Sequence, residues 1–531
     1  MHFSAAYDRS LPAADRRILS PNHFGCAKRS LAAPTFAAIL AAVSSGCTVG
    51  PDFKPPATPS TTRYTSPDET KTPDGHAGAA VPTQTVTLGE KVTGDWWTLF
   101  RSPDLDRLVK QAIAVSPTLE AARARLAAAR EAVVEATGAL YPQVSFSANA
   151  AREKVSASAF GLKPDEAPLP PNFNLFQVGP TVSYALDIFG GTRRQIEEEA
   201  ALADHQRDQL DAAYLTLTGN LVTQAIQIAT ARAQQKAVGD ILAIDRENLE
   251  LVRTERQAGT VPDTDVVAAE SQLAADETQR PGLDQQLSMA KHALSVLLGR
   301  APGDWLPPDF DLAAMTLPVE LPVSLPSALA HQRPDILAAE AQLHAASAQI
   351  GIATAQLYPT ITLSGGASAS ALDPGHLFSP AGLVWSIAAG LTQPIFDGGT
   401  RQAERRAALA AFKASAADYQ QTVLQAFGQV ADLLEALTHD ADLLAAQQRA
   451  LNTASEAERL QRINYASGGS GILGLLDAQR QYQRARLGYV RAEAQRYQDT
   501  IQLLLAMGGG WWDANLTVAD DTSQPRKRTH D

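Results

Sequence analysis

Few stretches of this 531-residue chain combine the residue types and spacings that chemistry requires. Two glycine-rich turns, Gly190-Gly191-Thr192 and Gly398-Gly399-Thr400, each follow a strand-like run and open a helix-like one. A loop of that kind can hold phosphate on the free N–H groups of a helix N-terminus. Neither turn carries the Gly-Lys-Ser/Thr ending of a P-loop or a GxGxxG pattern. Their recurrence at matching places reads instead as a tight strand-to-helix corner. The ten histidines are scattered, with no HExxH spacing, and the two cysteines, Cys26 and Cys47, precede the region expected to fold. Neither a disulfide framework nor a cysteine zinc site can be built from them. With no nucleophile–base pair and no metal constellation, the sequence assigns no catalytic residue, metal ligand or cofactor, and an enzyme is not expected.

Cys47 is the residue set up for covalent modification. Lys28-Arg29 precedes an apolar run from Leu31 to Val43, and the small residues Ser44-Ser45-Gly46 follow. This is the layout of a secretory signal, and it is shorter than the ~20 apolar residues of a spanning helix. A cysteine directly after small residues resembles the lipobox of bacterial lipoproteins, in which the thiol is diacylated and becomes the mature N-terminus. Ser44 stands where that pattern prefers Leu. The reading is a signal peptide over 1–46, then a lipid-anchored extended tether over 47–94. That tether is rich in Pro, Thr, Gly and Ser, with little able to pack.

The elements that follow are organised by a duplication. Ser116 to Ala148 reads SPTLEAARARLAAAREAVVEATGALYPQVSFSA, and Arg333 to Gly365 reads RPDILAAEAQLHAASAQIGIATAQLYPTITLSG. Later landmarks recur too: Ala258-Gly259 as Ser467-Gly468, and Leu298-Gly299 as Met507-Gly508. A period near two hundred residues is too long for a solenoid. It predicts one large unit built twice, over 95–299 and 333–507, joined by a Pro-rich equatorial linker over 300–332 and followed by a segment and polar tail over 508–531. The net charge of −12, with no basic patch, argues against a nucleic-acid partner.

Within each unit a helix ends at a Tyr-Pro pair (Tyr141-Pro142, Tyr358-Pro359), and the period switches from 3.6 to 2. Val144, Phe146 and Ala148 alternate with Ser145, Ser147 and Asn149, and Val182, Tyr184 and Leu186 with Thr181 and Ser183. Ile361 and Leu363, then Trp385, Ile387, Ala389 and Leu391, repeat the pattern. Runs of about ten residues with one apolar and one polar face suit membrane-spanning strands. Four such strands are too few to close a barrel, and an open edge in lipid leaves backbone groups unpaired. The chain is therefore expected to be completed by other copies in a symmetric ring. A soluble sandwich is the competing reading.

Long helices follow the strands. Arg193 to Gln257 and Arg401 to Ala466 contain no proline, and at ~1.5 Å per residue each reaches roughly 100 Å. Return helices are expected over Asp263–Leu298 and Ile472–Ala506. A short helix stacked on a return helix matches one long helix, so both columns run the length of the object, with heptad-like contacts.

On Cys47-Thr48-Val49-Gly50-Pro51-Asp52-Phe53, Asp95-Trp96-Trp97, and Arg333-Pro334-Asp335-Ile336 through Tyr358-Pro359, the chain resembles the outer membrane efflux protein family. These are TolC-like channels, and the match is to the lipoprotein branch of OprM or NodT type. The resemblance implies a mixed α/β membrane protein: a homotrimer with a 12-stranded outer-membrane barrel continuing into a periplasmic α-helical tunnel. It implies an exit duct for drugs or other small molecules, with a periplasmic adaptor (membrane fusion) protein and an inner-membrane RND-type pump as partners. A duct for type I protein secretion and a non-conducting envelope scaffold are the alternatives.

Two tips carry the implied docking role, Gly259, Thr260 and Val261 in the first half and Gly468, Gly469, Ser470 and Gly471 in the second. Without the resemblance they are helical hairpin turns, with Gly supplying positive φ. The family's second-half tip often reads VDVLDA; here Gly474 replaces the first acid, and Asp477 keeps the second. Asp477 is a candidate for an acidic ring at a threefold aperture, or for a helix-N-terminal Asp that favours the dipole. Asp265 is its first-half counterpart, and the Asp263-Thr264-Asp265 run is expected to cap its helix.

Overall fold

The computed structural model describes residues 48–57, 61–65, 84–154 and 172–513. The signal segment with Cys47, the loop through Pro164 to Pro171 and the polar tail lie outside the described residues. In chain order the elements are β1 Thr85–Leu88, α1 Pro103–Val115, α2 Pro117–Gly138, β2 Gln143–Glu153, β3 Phe173–Leu186, α3 Gly191–Gln257, α4 Asp263–Glu277 and α5 Gln279–Leu297. They continue with β4 Glu320–Val323, α6 Pro326–Leu329, α7 Pro334–Ala355, β5 Thr360–Ala371, β6 Leu383–Thr392, α8 Thr400–Ala466 and α9 Ile472–Ala506. The order helix, two strands, long helix, return helix thus occurs twice.

α2 and α7 both start with Pro at the first helical position, where its missing N–H costs nothing. Ser116 caps α2 by accepting from the Leu119 N–H. α3 and α8 are 67 residues each, about 100 Å at ~1.5 Å per residue. α7 bridges α3 and α8, α9 lies along α8, and α3 also touches α2, α5 and α9. The first return helix is not continuous over Asp263–Leu298. It breaks at Thr278 because Pro281 has no N–H to give the preceding turn, and Thr278 Oγ1 bonds back to the Ala275 carbonyl at 2.6 Å. Among the described residues no helix is long and apolar enough to cross a membrane.

The four long strands form one antiparallel sheet in the order β2-β3-β5-β6. Directly paired residues share a face, so the register sorts the side chains. Phe146 opposes Pro180, Val144 opposes Val182, Val182 opposes Gly365, Gly365 opposes Ile387, and Leu391 opposes Ile361. These residues, with Trp385 opposite Ala367, make one apolar face across all four strands. Ser145, Thr181, Ser183, Ser364 and Thr362 lie on the other. Every residue of β2 and of β6 is exposed on both faces. A soluble sandwich would bury one face, so that reading fails.

The largest core lies midway along the helices, where α1, α2, α5 and α9 meet α3 around Trp96, Phe100, Leu105, Leu221 and Ile501. Trp96 and Trp97 are packing residues here, and Trp97 Nε1 donates to Asp106 at 3.1 Å. Arg333 anchors the linker: its guanidinium grips its own Asp335 at 3.0 and 2.7 Å and reaches the Ala506 carbonyl at 3.2 Å.

The described parts of the Pro-rich N-terminal segment pack far more than its composition suggests. β1 within it pairs in parallel with β4, and the Tyr64 hydroxyl donates to the Ser324 carbonyl at 2.7 Å. Residues 48–53 are clamped onto the start of α3. The Val49 N–H donates to the Phe189 carbonyl, and the buried Arg194 donates to the Val49 carbonyl at 3.2 Å, the Gly50 carbonyl at 3.4 Å and Asp52 at 2.8 Å. Phe53 stacks on His344 with ring centroids 4.3 Å apart. Extended backbone exposes carbonyls that one buried guanidinium can gather, and composition alone does not reveal that partner. Arg194→Ala is expected to cost about 2–3 kcal/mol, the scale of hydrogen bonds to a charged group. Hydrogen exchange in residues 48–53 checks it: protection should collapse in Arg194→Ala and persist in wild type.

Candidate functional site

The corners at the foot of the sheet explain the paired glycines. Gly190 has φ +76°, and Gly398 and Gly399 have φ +66° and +88°, a region that glycine enters without strain. Gly191, between them in pattern, already belongs to α3. At each corner an aspartate takes the free N–H groups of the helix start. Asp187 accepts from Thr192 and Arg193, both at 3.0 Å, and Asp397 accepts from Gly399 at 2.8 Å and Arg401 at 3.2 Å. The Arg401 and Gly399 N–H groups hold the Asp397 carboxyl below its usual range. The place an external phosphate would occupy is filled by the chain's own carboxylates, so these are structural corners. Asp187 and Asp397 were missed in the sequence because they sit at different offsets from their glycines.

At the far ends of the long helices, the two tips are built alike. The Thr260 N–H bonds the Glu255 carbonyl at 3.0 Å and the Gly259 N–H bonds the Arg256 carbonyl at 3.0 Å. In the second tip the Gly469 N–H bonds the Asn464 carbonyl at 2.8 Å and the Gly468 N–H bonds the Tyr465 carbonyl at 2.9 Å. Both are Schellman closures, with Gly259 at φ +78° and Gly468 at φ +74°. Gly259, Thr260, Gly468, Gly469 and Gly471 are exposed, whereas Val261 and Ser470 are half-buried. Val261 packs against a small apolar cluster formed by Leu249, Val252, Ala269, Ile472, Leu475 and Leu476.

That cluster joins the two hairpins, and polar contacts reinforce it. Tyr465, at the end of α8, donates its hydroxyl to Glu255, at the end of α3. Burial and then the Glu255 carboxylate push the Tyr465 phenol upward. Further along, Asn248 Nδ2 donates to Gln479 Oε1 at 2.8 Å, and Arg486 pairs with Asp240. The Tyr465–Glu255 strap connects residues 210 apart and carries no local sequence signal.

The acidic candidates fare differently from the sequence reading. Asp477 lies beyond the first turn of α9, which contains no acidic residue, so the dipole explanation does not apply to it. Its carboxylate accepts from Arg480 at 2.9 Å and Gln481 at 3.0 Å, and the side chain is 57% exposed. Asp265 is half-buried in the first turn of α4, touched by Thr264 Oγ1 at 3.4 Å. The expected cap is absent: Pro262 occupies the N-cap without a side-chain bond, and Asp263 instead clasps Arg256 across the turn at 2.5 and 3.1 Å. Between α4 and α9 runs an open groove of about 950 Å³ lined by Ser271, Gln272, Gln279, Arg480, Arg484 and Arg491.

A sequence profile described as "Outer membrane efflux protein" matches residues 108–300 and 325–509, one match for each structural repeat. The chain is 30% identical over 442 residues to the pyoverdine export outer membrane protein OpmQ of Pseudomonas aeruginosa, covering 82% of this chain and 92% of that one. It is 29% identical over 490 residues to nodulation protein T of Rhizobium leguminosarum bv. viciae, covering 90% and 93%. In three dimensions it is similar to the outer-membrane channel OprN, with a TM-score of 0.76 at 29% identity over 88% of this chain and 100% of that one. The open-state MtrE outer membrane channel of Neisseria gonorrhoeae is similar too, with a TM-score of 0.74 at 25% identity over 88% and 99%. A duplicated fold with one apolar strand face, 67-residue helices and matches across both halves leads to one conclusion: this chain belongs to the outer membrane efflux protein family.

Proposed function

We propose that three copies of this chain close one 12-stranded barrel in the outer membrane and one helical tunnel in the periplasm, and that the assembly is the passive exit duct of a tripartite efflux system. The observation that carries this reading is the open sheet. β2 and β6 lie at its edges with unpaired backbone, and an unpaired edge in lipid costs several kcal/mol per group. Within one chain, β3 of the first half pairs with β5 of the second. The same contact repeated around a ring pairs β6 with β2 of the next copy. The aromatic feet support it. Phe189 stacks on Tyr358 at 4.6 Å, while their counterparts Phe396 and Tyr141 are 92% and 63% exposed. In the ring, Phe396 meets Tyr141 of the next copy.

Thr48, which follows Cys47, is held against Gly190 at the foot of the sheet. Diacylation of Cys47 is proposed to anchor the chain to lipid, each buried CH₂ contributing about 0.8 kcal/mol. The tips, Gly259 to Val261 and Gly468 to Gly471, are proposed to receive the periplasmic adaptor that couples the duct to an inner-membrane RND-type pump. Arg480, Arg484 and Arg491, which line the groove running back along the return helices, suit an acidic helical surface. Small molecules are the cargo class that fits, as for the relative named for pyoverdine export.

Closure of the tunnel is proposed to rest on the tip strap and the apolar cluster beneath it. Planar-bilayer recording on Tyr465→Phe should give a larger or more often open conductance than wild type, and an unchanged trace would remove the strap from gating. Asp477 is proposed to set the charge of the aperture together with Arg480. Asp477→Asn should lower cation preference and Arg480→Ala should raise it; identical reversal potentials in all three proteins would end that assignment. Phe396→Ala should weaken the ring by about 0.5–1.5 kcal/mol per contact, the scale of an aromatic pair, read as a lower dissociation temperature in detergent.

A further inference from the structure

In each helical hairpin a buried acid on the long helix faces an acid on the return helix. In the first, Asp245 of α3 is 2% exposed and Asp276 of α4 is 5% exposed, with their carboxyls in hydrogen-bonding reach. In the second, Asp440 of α8 is 8% exposed and faces the half-buried Asp499 of α9. The surroundings match. The return helix carries a glutamine four residues before its aspartate, and that amide donates to it: Gln272 to Asp276 at 2.5 Å, and Gln495 to Asp499 at 2.9 Å. Gln279 adds a second donor to Asp276 at 2.9 Å. On the long helix, Asp245 Oδ2 and Asp440 Oδ2 are both buried without a hydrogen-bond partner.

Two ionised carboxylates do not face each other stably where one or both are buried without something between them, since like charges and desolvation both oppose it. The neighbours decide what that is. A desolvated cation needs about six oxygen ligands, but here amide N–H groups point at Asp276 and Asp499, and Gln483 Nε2 reaches the other oxygen of Asp245, Oδ1, at 3.5 Å. One acid of each pair is therefore a satisfied carboxylate. The orphan oxygen of the other is explained if it bears a proton and donates it across. We propose that one shared proton clasps Asp245 to Asp276 in the first hairpin, and another clasps Asp440 to Asp499 in the second, so that the two arms of each hairpin are tied under acidic conditions and loosened towards neutral pH. At ~1.5 Å per residue the clasps sit about 18 Å and about 39 Å back from their tips. This does not rest on the channel reading.

Other charges face each clasp. Arg246 of α3, itself paired with Glu277, faces the first, and Arg480 and Arg484 of α9 line the same groove as Asp276. Buried Arg496 faces the second, held by Gln84 at 3.0 Å. Against these cations, burial is the larger influence and pushes both Asp245 and Asp440 well above the ordinary carboxylate range, each raised further by its facing acid. A carboxyl raised in the closed state holds a proton that the opened arm releases. Opening is therefore favoured up to about tenfold per pH unit between the ordinary value and the raised one, and the slope vanishes above it.

Hydrogen exchange on the intact reconstituted protein, corrected for intrinsic exchange rates, tests this at about pH 5 and about pH 8. Protection around Asp245 and Asp440 should fall roughly tenfold to a hundredfold in wild type. In Asp245→Asn/Asp440→Asn, where each amide replaces the protonated acid, it should change less than about twofold. Infrared spectra of wild type at neutral pH should also contain a protonated-carboxyl C=O stretch that the double variant lacks. A double variant that keeps the wild-type slope overturns the proposal. So does a wild type with no slope or no such band, and so does calcium restoring protection at about pH 8, which would make the bridge a cation.

Discussion

A backbone group in lipid has no water to fall back on, and the rest of this molecule follows from that. Four strands leave two edges, and neither is blunted by a covering helix, since β2 and β6 are exposed along their whole length. The apolar face built by Val144, Val182, Leu363 and Ile387 makes sense against acyl chains, and the serine- and threonine-rich face against a wet lumen. The helices inherit the same geometry. Each strand pair hands the chain through a glycine corner into a 67-residue helix, so the sheet and the helical wall share one perimeter. Outer membrane efflux channels need that continuity, because cargo must pass from periplasm to exterior without meeting a gap.

The duplication does more than economise on sequence. In the proposed ring it makes the contact between the two halves of one chain a template for the contact between neighbouring copies. Phe189 on Tyr358 shows inside one chain what Phe396 and Tyr141 lack there. The halves are not identical, however. The first return helix is broken at Thr278 and the second is continuous. The acid pairs also sit at different distances from their tips. A wall of near-equivalent hairpins whose clasps lie at different levels can loosen one hairpin without the other.

Much of this was legible in the sequence because it is periodic or punctuated. Alternation over Val144 to Ala148, Pro117 and Pro334 at helix starts, and Gly259 and Gly468 at helix ends are local signals with local causes. What escaped was made by residues far apart in the chain. Arg194 gathers carbonyls about 145 residues away, Tyr465 reaches Glu255, and Asp440 faces Asp499. A buried acid looks the same as a surface acid in a sequence, since only the partner helix removes it from water. Composition misled once: a Pro- and Thr-rich stretch reads as tether, but extended chain still offers carbonyls to a waiting guanidinium. For Asp477 the sequence supplied the residue and not its neighbour Arg480, which alters what a ring of such acids would do.

The central claim is that a single chain is one third of a closed wall. Native mass spectrometry of the full protein, released from mild detergent, tests it most directly. The account predicts a dominant species of three copies, with no populated single chain under conditions that preserve the fold. A stable, folded single chain, or a ring of any other number, would contradict it.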